Sequence, residues 1–177
     1  MKNLETERLF LEMWSIDDAK ELYEYAKNPN VGPPAGWKPH ENVEESTEII
    51  KTIFLPNEAW AIHDKASKKV IGCISFEADR FRPKARSKEL GYNLAENYWG
   101  KGIMTEAARE VMRFGFEELD LEIISICTSE KNLRSQSVIK KCVFIYEGTI
   151  RKTYKIYNGT LRDSRVYSIL EKEWKAL

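Results

Sequence analysis

The sequence predicts a mixed α/β fold in which helices flank one central, mostly antiparallel sheet. Short segments with alternating apolar and polar residues indicate strands, and longer segments with an apolar residue every three or four positions indicate amphipathic helices. Several predicted strands follow one another through short polar turns, which favours antiparallel pairing. The predicted order of elements is βααβββαβαββ.

The composition is typical of one soluble domain that spans residues 1–177. Hydrophobic residues make up 42% of the chain and charged residues 32%, as expected for a globular protein with a substantial core. The 28 basic and 28 acidic side chains cancel, which argues against a general nucleic-acid binder. No apolar run approaches the length of a membrane span, and the charged N-terminus is unlike a signal peptide. We expect a cytoplasmic monomer or homodimer that binds neither nucleic acid nor a membrane.

The N-terminal half is predicted to contain three strands and two helices. A strand at residues 8–13 comes first, and Ser15 then caps a helix that ends near residue 27. The proline-rich segment 28–41 is predicted to be a loop, a second helix spans residues 43–55, and a hairpin pairs residues 58–63 with 70–77. The buried faces of the two helices are expected to comprise Ala19, Leu22, Tyr23 and Ala26 in the first, and Ile49, Ile50, Ile53 and Phe54 in the second.

In the C-terminal half, a basic irregular segment leads into a strand at residues 88–94 and then into the longest helix, residues 104–119. A strand at 122–128, a helix from 132 to about 142 and two strands at 144–157 and 161–171 complete the chain, with Asn158-Gly159 as the last hairpin turn. The long helix is expected to bury one face, formed by Met104, Ala107, Ala108, Val111, Met112, Gly115, Phe116 and Leu119.

The connection between the central strand and this helix is a candidate anion site. The first amides of a helix have no partners within the helix, and the helix dipole adds partial positive charge there. Gly100 and Gly102 lack a side chain, so phosphates can approach the backbone closely, and Lys101 adds a full positive charge. An ordinary strand-to-helix turn can have the same spacing, so the glycine pair alone does not decide between the two readings.

The segment YWGKGIMTEA, residues 98–107, resembles the acetyl-CoA-binding motif of the GNAT N-acetyltransferases, and within them the ribosomal-protein N-terminal (alanine/serine) acetyltransferase branch. The resemblance extends from residue 7 to residue 168, and Asn97 departs from it because Gln or Arg is usual there. It implies a three-layer GNAT-like fold, acetyl-CoA as the cosubstrate and no metal. The cofactor-binding residues that it implies are Gly91, Tyr92, Asn93, Leu94, Trp99, Gly100, Lys101, Gly102, Ile103, Met104, Thr105, Asn132, Ser135 and Lys141.

A second motif lies at the start of the next helix. Asn132 and Ser135 resemble the Asn-x-x-Ser pattern of the family, which implies a hydrogen bond from Asn132 to the pantetheine arm; Asn132 can equally be a helix cap. The family often has a tyrosine in this helix that protonates the departing thiolate, and we place that position at Ile139, which has no proton to give. We therefore predict that Ser135 hydrogen-bonds to the sulfur. Val143 stands where the family usually has glycine.

The acceptor amine must lose a proton before it attacks, and carboxylates on the central strands are the candidate bases. Glu89, acting through water, is the first choice and Glu77 the second, although each could instead be a surface carboxylate in an ion pair. Cys127 and Cys142 have no evident histidine partner, and His40 and His63 form no triad or metal pattern. We expect direct attack of the amine on the thioester in a ternary complex.

The acceptor is identified only by the resemblance. It ranks the N-terminal amine of a protein or peptide first and a small amine, such as a polyamine, amino sugar or antibiotic, second. A weakly catalytic acetyl-CoA-binding module is the alternative to an enzyme. Trp37 and Tyr154, on two separate loops or hairpins, are predicted to contact the acceptor.

Overall fold

The computed structural model describes residues 2–176, and an eight-stranded sheet runs through its centre. The strands are β1 (Leu4–Glu5), β2 (Leu9–Met13), β3 (Glu58–Asp64), β4 (Lys69–Ala78), β5 (Ser87–Leu94), β6 (Ile123–Thr128), β7 (Ile145–Lys155) and β8 (Leu161–Leu170). Their order across the sheet is β1-β2-β3-β4-β5-β6-β8-β7. Every neighbouring pair is antiparallel except β5 and β6, which are parallel. The predicted mixed, mostly antiparallel sheet is confirmed.

The helices cover both faces of this sheet. They are α1 (Ala19–Ala26), α2 (Gly32–Ala35), α3 (Val43–Ile49), α4 (Ile103–Glu117), α5 (Leu133–Lys141) and α6 (Glu171–Trp174). On β3, Trp60 and Ile62 belong to the core under α4 and α5, whereas Ala59 and Ala61 belong to the core under α1 and α3. Because side chains alternate along a strand, these two cores lie on opposite faces of the sheet. The result is the predicted three-layer arrangement.

The long helix α4 has the buried face that its sequence predicts. Met104, Ala107, Ala108, Val111, Met112, Gly115 and Phe116 are all buried, and Leu119 packs at the edge of the core. Ile103 and Phe114 are also buried, which widens the apolar face beyond the prediction. A face this broad is expected for a helix that packs on the sheet along its full length.

Two details of the first helical layer differ from the prediction. Tyr25 rather than Tyr23 is buried in α1, and the hydroxyl of Tyr23 instead donates a hydrogen bond to the carbonyl oxygen of Glu41. After α3 the chain continues into a π-helical turn at Ile50–Phe54, where Ile50 is fully buried but Ile53 is 48% exposed. Ile49 and Phe54 are half-buried, and together with Ile53 they line a cavity rather than the core.

Three short elements were not predicted, and one of them is helix α6, which follows the last strand. Strand β1 adds to the sheet edge beside β2, and its two residues are too few to show a pattern. Helix α2 lies within the proline-rich loop, where Pro33 and Pro34 occupy the first turn, a position that tolerates a residue without an N–H group.

The end of α5 adopts a strained conformation at Val143. The N–H of Phe144 donates to the carbonyl of Ile139 and the N–H of Val143 to that of Lys140, which is the hydrogen-bond pattern of a Schellman motif. This motif requires a left-handed residue, and Val143 has φ +57°. Glycine adopts that conformation without steric cost, whereas a β-branched residue does not.

We expect Val143→Gly to raise the free energy of unfolding by about 1 kcal/mol, since a left-handed L-residue costs about 1–2 kcal/mol and the exposed valine side chain loses little packing. Urea denaturation measures this difference. Ile145→Gly is the matched control, because Ile145 is also exposed but lies in the extended strand β7, and there glycine should destabilise. A Val143→Gly protein no more stable than the wild type would contradict the strain argument.

Candidate active site

The site forms where two parallel strands part. β5 and β6 pair only over Ser87–Glu89 and Ile123–Ser125. Beyond this short ladder β5 stays paired with β4 as far as Leu94, and β6 stays paired with β8 as far as Thr128. Two cavities meet at the gap between them. The residues that line both cavities are Pro34, Ala35, Tyr92, Asn93, Asn132 and Ser135.

The smaller cavity, of about 190 Å³, lies between the start of α4 and the start of α5. Most of the predicted cofactor-binding residues line it: Tyr92, Asn93, Leu94, Trp99, Gly100, Gly102, Ile103, Met104, Thr105, Asn132, Ser135 and Lys141. Two do not. Gly91 lines the larger cavity, and the ammonium of Lys101 lies 5.3 Å from the centre of the Tyr98 ring, outside the residues that line the smaller cavity.

The glycine turn has the geometry of an open backbone cradle. Gly100 and Gly102 both have left-handed backbones, with φ +74° and +78°. A Cβ atom added at Gly100 would meet nothing within 4 Å, so this side of the turn faces open space. No side chain within residues 2–176 caps the start of α4. Amides at this helix end can therefore receive an anionic group such as a diphosphate.

The N-terminal segment holds this turn in place, which the sequence did not indicate. Nη1 of Arg8 donates to the carbonyl oxygen of Lys101 at 3.0 Å, and Nε of Arg8 donates to Glu106 of α4 at 2.6 Å. Thr6 donates to the other carboxylate oxygen of Glu106 at 2.6 Å. These partners are about a hundred residues apart in the chain, so no local pattern could have revealed them.

Arg134 is a second residue that sequence reasoning missed. Its guanidinium lies 3.9 Å from the centre of the Trp99 ring, in cation–π contact, and lines the smaller cavity. The indole of Trp99 in turn donates a hydrogen bond to the carbonyl oxygen of Leu94 at 2.8 Å. Arg134 thus supplies a positive charge to the wall of this cavity, together with Lys141. Its position two residues after Asn132, inside the Asn-x-x-Ser pattern, was the available signal.

Ser135 is positioned by two neighbours at the junction of the cavities. Its backbone N–H donates to Oδ1 of Asn132 at 3.1 Å, so Asn132 does cap α5. Its hydroxyl lies 3.0 Å from the phenol oxygen of Tyr92 on β5. Burial raises the pKa of Tyr92, which keeps the phenol protonated. Ile139 is 1% exposed within the core and lines neither cavity, so the phenol at this site comes from the strand rather than from α5.

The larger cavity, of about 330 Å³, contains both predicted bases. Glu77 and Glu89 lie directly opposite each other on β4 and β5. Glu89 is buried, and its two oxygens accept hydrogen bonds from Nε and Nη2 of Arg80 at 2.8 and 2.5 Å. Glu77 instead opens to the cavity, above Gly91. Burial by the surrounding walls raises the pKa of Glu77, and the charge of Glu89 raises it further.

Two thiols and one imidazole also line this cavity. Burial raises the pKa of Cys73 and of Cys127 to about 12, so both are protonated near neutral pH. No hydrogen bond within the described residues joins either thiol to a histidine. His40 hydrogen-bonds through Nδ1 to Ser46 at 2.8 Å, and burial lowers the pKa of this imidazole. The described residues therefore contain no activated thiolate in the site.

A bridge between two segments closes one side of the larger cavity. The hydroxyl of Tyr154 on β7 donates to the carbonyl of Ala35 at 3.2 Å, and Arg162 on β8 donates to the carbonyl of Pro34 at 2.8 Å. The N–H of Tyr157 donates to Gly36 at 2.9 Å. Trp37, beside this bridge, and Tyr154 both line the cavity, where they were predicted to contact an acceptor. Their role stays a prediction.

Across residues 2–176, every helix is too short or too polar to cross a membrane. In the same range, no three His, Cys, Asp or Glu side chains lie close enough together to hold a metal ion.

Comparison with known proteins identifies the same family that the sequence motifs resemble. Residues 8–145 match the family model described as an acetyltransferase (GNAT) domain. "Uncharacterized N-acetyltransferase p20" of Bacillus licheniformis is 31% identical over 98% of this chain and 99% of its own length. "Putative ribosomal N-acetyltransferase YdaF" of Bacillus subtilis is 38% identical over 51% of this chain and 49% of its own length.

A solved structure extends the likeness to three dimensions. The microcin C7 self-immunity acetyltransferase MccE, whose crystal structure is a complex with acetyl-CoA and AMP, has a TM-score of 0.77 to this chain at 25% identity, with 93% of each chain covered. The family match covers far more than half of the sequence, and a full-length relative exceeds 30% identity. This chain belongs to the GNAT family and is an acetyl-CoA-dependent N-acetyltransferase.

Proposed function

We propose that the chain acetylates a primary amine bound in the larger cavity while acetyl-CoA occupies the smaller one, so that the amine attacks the thioester directly. The observation that carries this proposal is the meeting of the two cavities at Asn93 and Ser135, in the gap between β5 and β6. A donor and an acceptor that enter from opposite sides can touch only there.

The smaller cavity fits acetyl-CoA because of its backbone and charge. The amides that follow Gly100 would hold the diphosphate, and Arg134 and Lys141 would add positive charge along the same wall. When bound, acetyl-CoA supplies an acyl group on a thiol leaving group of pKa roughly 8.5. Main-chain groups of β5 near Asn93 and Leu94 lie in the part of the strand that still pairs with β4 but no longer pairs with β6, so on that side they can bind an extended ligand as a further strand would.

Glu77 is the better placed of the two predicted bases. A lysine-type ammonium has a pKa of about 10.4 and a peptide α-amine about 8, so the amine must be deprotonated at neutral pH. Glu89 is already engaged by Arg80, whereas Glu77 faces the cavity and can take the proton through a water molecule. The protonated thiols of Cys73 and Cys127 are unsuited to carry the acyl group, which supports direct attack.

Ser135 and Tyr92 are proposed to return a proton to the departing sulfur. As the new N–C bond forms, the C–S bond breaks and the sulfur takes up the electron pair and then a proton. The phenol of Tyr92 lies 3.3 Å from the backbone carbonyl of Ser135 and 3.0 Å from its hydroxyl. When the phenol donates to the hydroxyl, the serine proton is left free to donate to the sulfur. Because a CoA thiolate is a good leaving group, we expect this contribution to be modest.

The bridge from Pro34 and Ala35 to the last hairpin favours a small amine as the acceptor. An extended polypeptide needs an open slot in which to lay several residues, whereas a small molecule does not. The N-terminal amine of a protein or peptide, ranked first from the sequence, is the second candidate, because a relative that matches half of this chain is named a putative ribosomal N-acetyltransferase. Free-thiol release from acetyl-CoA, measured with a panel of small amines and of N-terminal peptides, tests both. Tight acetyl-CoA binding without release by any amine would favour a binding module instead.

Gly100→Val should abolish acetyl-CoA binding while leaving cooperative unfolding intact, because the added side chain fills the open side of the cradle. Calorimetric titration with acetyl-CoA measures the affinity. Gly159→Val is the matched control, since Gly159 also has a left-handed backbone and open space around its Cβ position but lies in the β7–β8 turn. Equal affinity of the two variants for acetyl-CoA would contradict the proposal that the backbone at Gly100 binds it.

Ser135→Ala and Tyr92→Phe should each lower kcat by about 10-fold or less, and the double variant should lose little more than the stronger single variant, because the two hydroxyls act in one chain. Assays of thiol release with both acetyl-CoA and the amine at saturating concentrations measure kcat. Fully multiplicative losses in the double variant would mean that the two hydroxyls act separately.

Glu77→Gln should lower kcat by about 10²-fold or more if Glu77 accepts the amine proton. It should also stabilise the fold at pH 7.5. A carboxyl whose folded-state pKa is raised destabilises the folded state once it is ionised, and this penalty disappears below the unfolded-state pKa of about 4.3. The difference in melting temperature should therefore vanish near pH 4. Glu48→Gln, on the exposed side of α3, is the control and should change neither property. A Glu77→Gln enzyme of full activity would exclude Glu77 as the base.

A further inference from the structure

The charges in the larger cavity are unequally paired. Two guanidiniums contact the ring of Tyr154, with Cζ of Arg80 5.5 Å and Cζ of Arg162 4.7 Å from its centre. Arg80 is neutralised by the two-pronged ion pair with Glu89. For Arg162, no carboxylate of residues 2–176 lies within ion-pairing distance, and its only side-chain hydrogen bond within that range goes to the neutral carbonyl of Pro34.

Arg162 therefore lacks a counter-charge although its side chain is half-buried. Its Nε atom is buried and has no hydrogen-bond partner within the described residues. Such a donor usually costs stability, and the cost is greater for a charged group. Desolvation also lowers the pKa of Arg162, which agrees with this environment. A planar guanidinium with free donors matches a carboxylate or a phosphate better than any other partner.

Glu77 is the complementary unpaired charge. No Lys or Arg of the described residues lies within ion-pairing distance of its carboxylate, which faces the same cavity above Gly91. Among the described residues, four charged side chains line this cavity: Arg80 and Glu89 form an ion pair, whereas Arg162 and Glu77 have no ion-pair partner. An acceptor whose only charge is an ammonium would pair with Glu77 but would leave Arg162 without an anion.

We infer that the acceptor is a compact zwitterion, with a primary amine that approaches Glu77 and a carboxylate or phosphate that binds Arg162. This inference rests on the proposed function and specifies its substrate class. Arg162 then determines specificity, because a neutral analogue of the acceptor leaves a half-buried guanidinium without an anion. A polyamine or an amino sugar without an anionic group is excluded as the preferred acceptor.

Binding of an anion to Arg162 would also position the acceptor, because Arg162 is part of the bridge to Pro34. The same guanidinium binds the anion, contacts Tyr154 and donates to Pro34 in the segment that lines both cavities. An anion held there fixes one end of the acceptor beside the junction where the thioester would lie. The amine end is then left to reach the gap between β5 and β6.

Matched acceptors test the inference by turnover. Acids with one to four carbons between amine and carboxylate, from glycine to 5-aminovalerate, are compared with their amides, and 2-aminoethyl phosphate with 2-methoxyethylamine. We expect kcat/KM of the preferred anionic acceptor to exceed that of its neutral partner by about 10-fold to 100-fold. The comparison of carboxylate acceptors with the phosphate acceptor shows which anion Arg162 prefers. Neutral amines or amidated N-terminal peptides that react faster than every acid would overturn the inference while leaving amine acetylation intact.

Variants separate recognition from support of the bridge. In Arg162→Gln, the ratio of kcat/KM for the anionic acceptor to that for its neutral partner should fall towards one, whereas loss of bridge support alone would lower both values and leave the ratio unchanged. Arg151→Gln, an exposed arginine on β7 of the same hairpin, should keep the wild-type ratio.

A binding measurement covers the case in which none of these amines turns over. Calorimetric titration of the same acids and phosphate into the protein saturated with CoA, which cannot transfer an acyl group, should detect binding that Arg162→Gln weakens by about 10-fold or more. Absence of binding by every anionic amine, or equal binding to the variant, would overturn the inference. Loss of turnover with binding retained would instead count against the proposed function.

Discussion

The parting of β5 from β6 is the constraint on which the rest of the site depends. Parallel pairing over three residues fixes both strands, and their divergence leaves main-chain groups of β5 without a partner strand. Buried backbone groups need hydrogen-bond partners, so this edge is prepared for an extended polar ligand. The same divergence opens the passage between the two cavities. In the proposed function, this one interruption of the sheet provides both the binding edge and the meeting point of donor and acceptor.

The two cavities differ in the charged groups that line them. The smaller one offers main-chain amides, Arg134 and Lys141, all suited to phosphate, while the larger one holds two carboxylates and two guanidiniums in near balance. Within the larger cavity, Glu89 is ion-paired with Arg80, which in the proposed reaction leaves Glu77 as the base. The hydrogen-bonded pair of Tyr92 and Ser135 stands at the boundary, where a leaving sulfur would need a proton.

The sequence predicted what depends on local pattern. The order of the longer elements along the chain, the buried face of α4 and the glycine turn are encoded by spacing within a few residues, and the family resemblance located most of the lining of the smaller cavity. What it missed depends on distant contacts. Arg8 steadies the glycine turn from the N-terminus, and Arg162 reaches Pro34 across 128 positions. Ile53 was expected to be buried because apolar spacing cannot distinguish a core from the wall of a cavity.

A crystal structure of the protein with CoA and an acetylated acceptor tests the central claim most directly. We expect the diphosphate to lie against the amides that follow Gly100, the pantetheine arm along the edge of β5 that faces β6, and the sulfur beside Ser135, with the acetylated nitrogen on the far side of the gap. Coenzyme bound elsewhere, or both ligands in a single cavity with β5 and β6 closed between them, would contradict it.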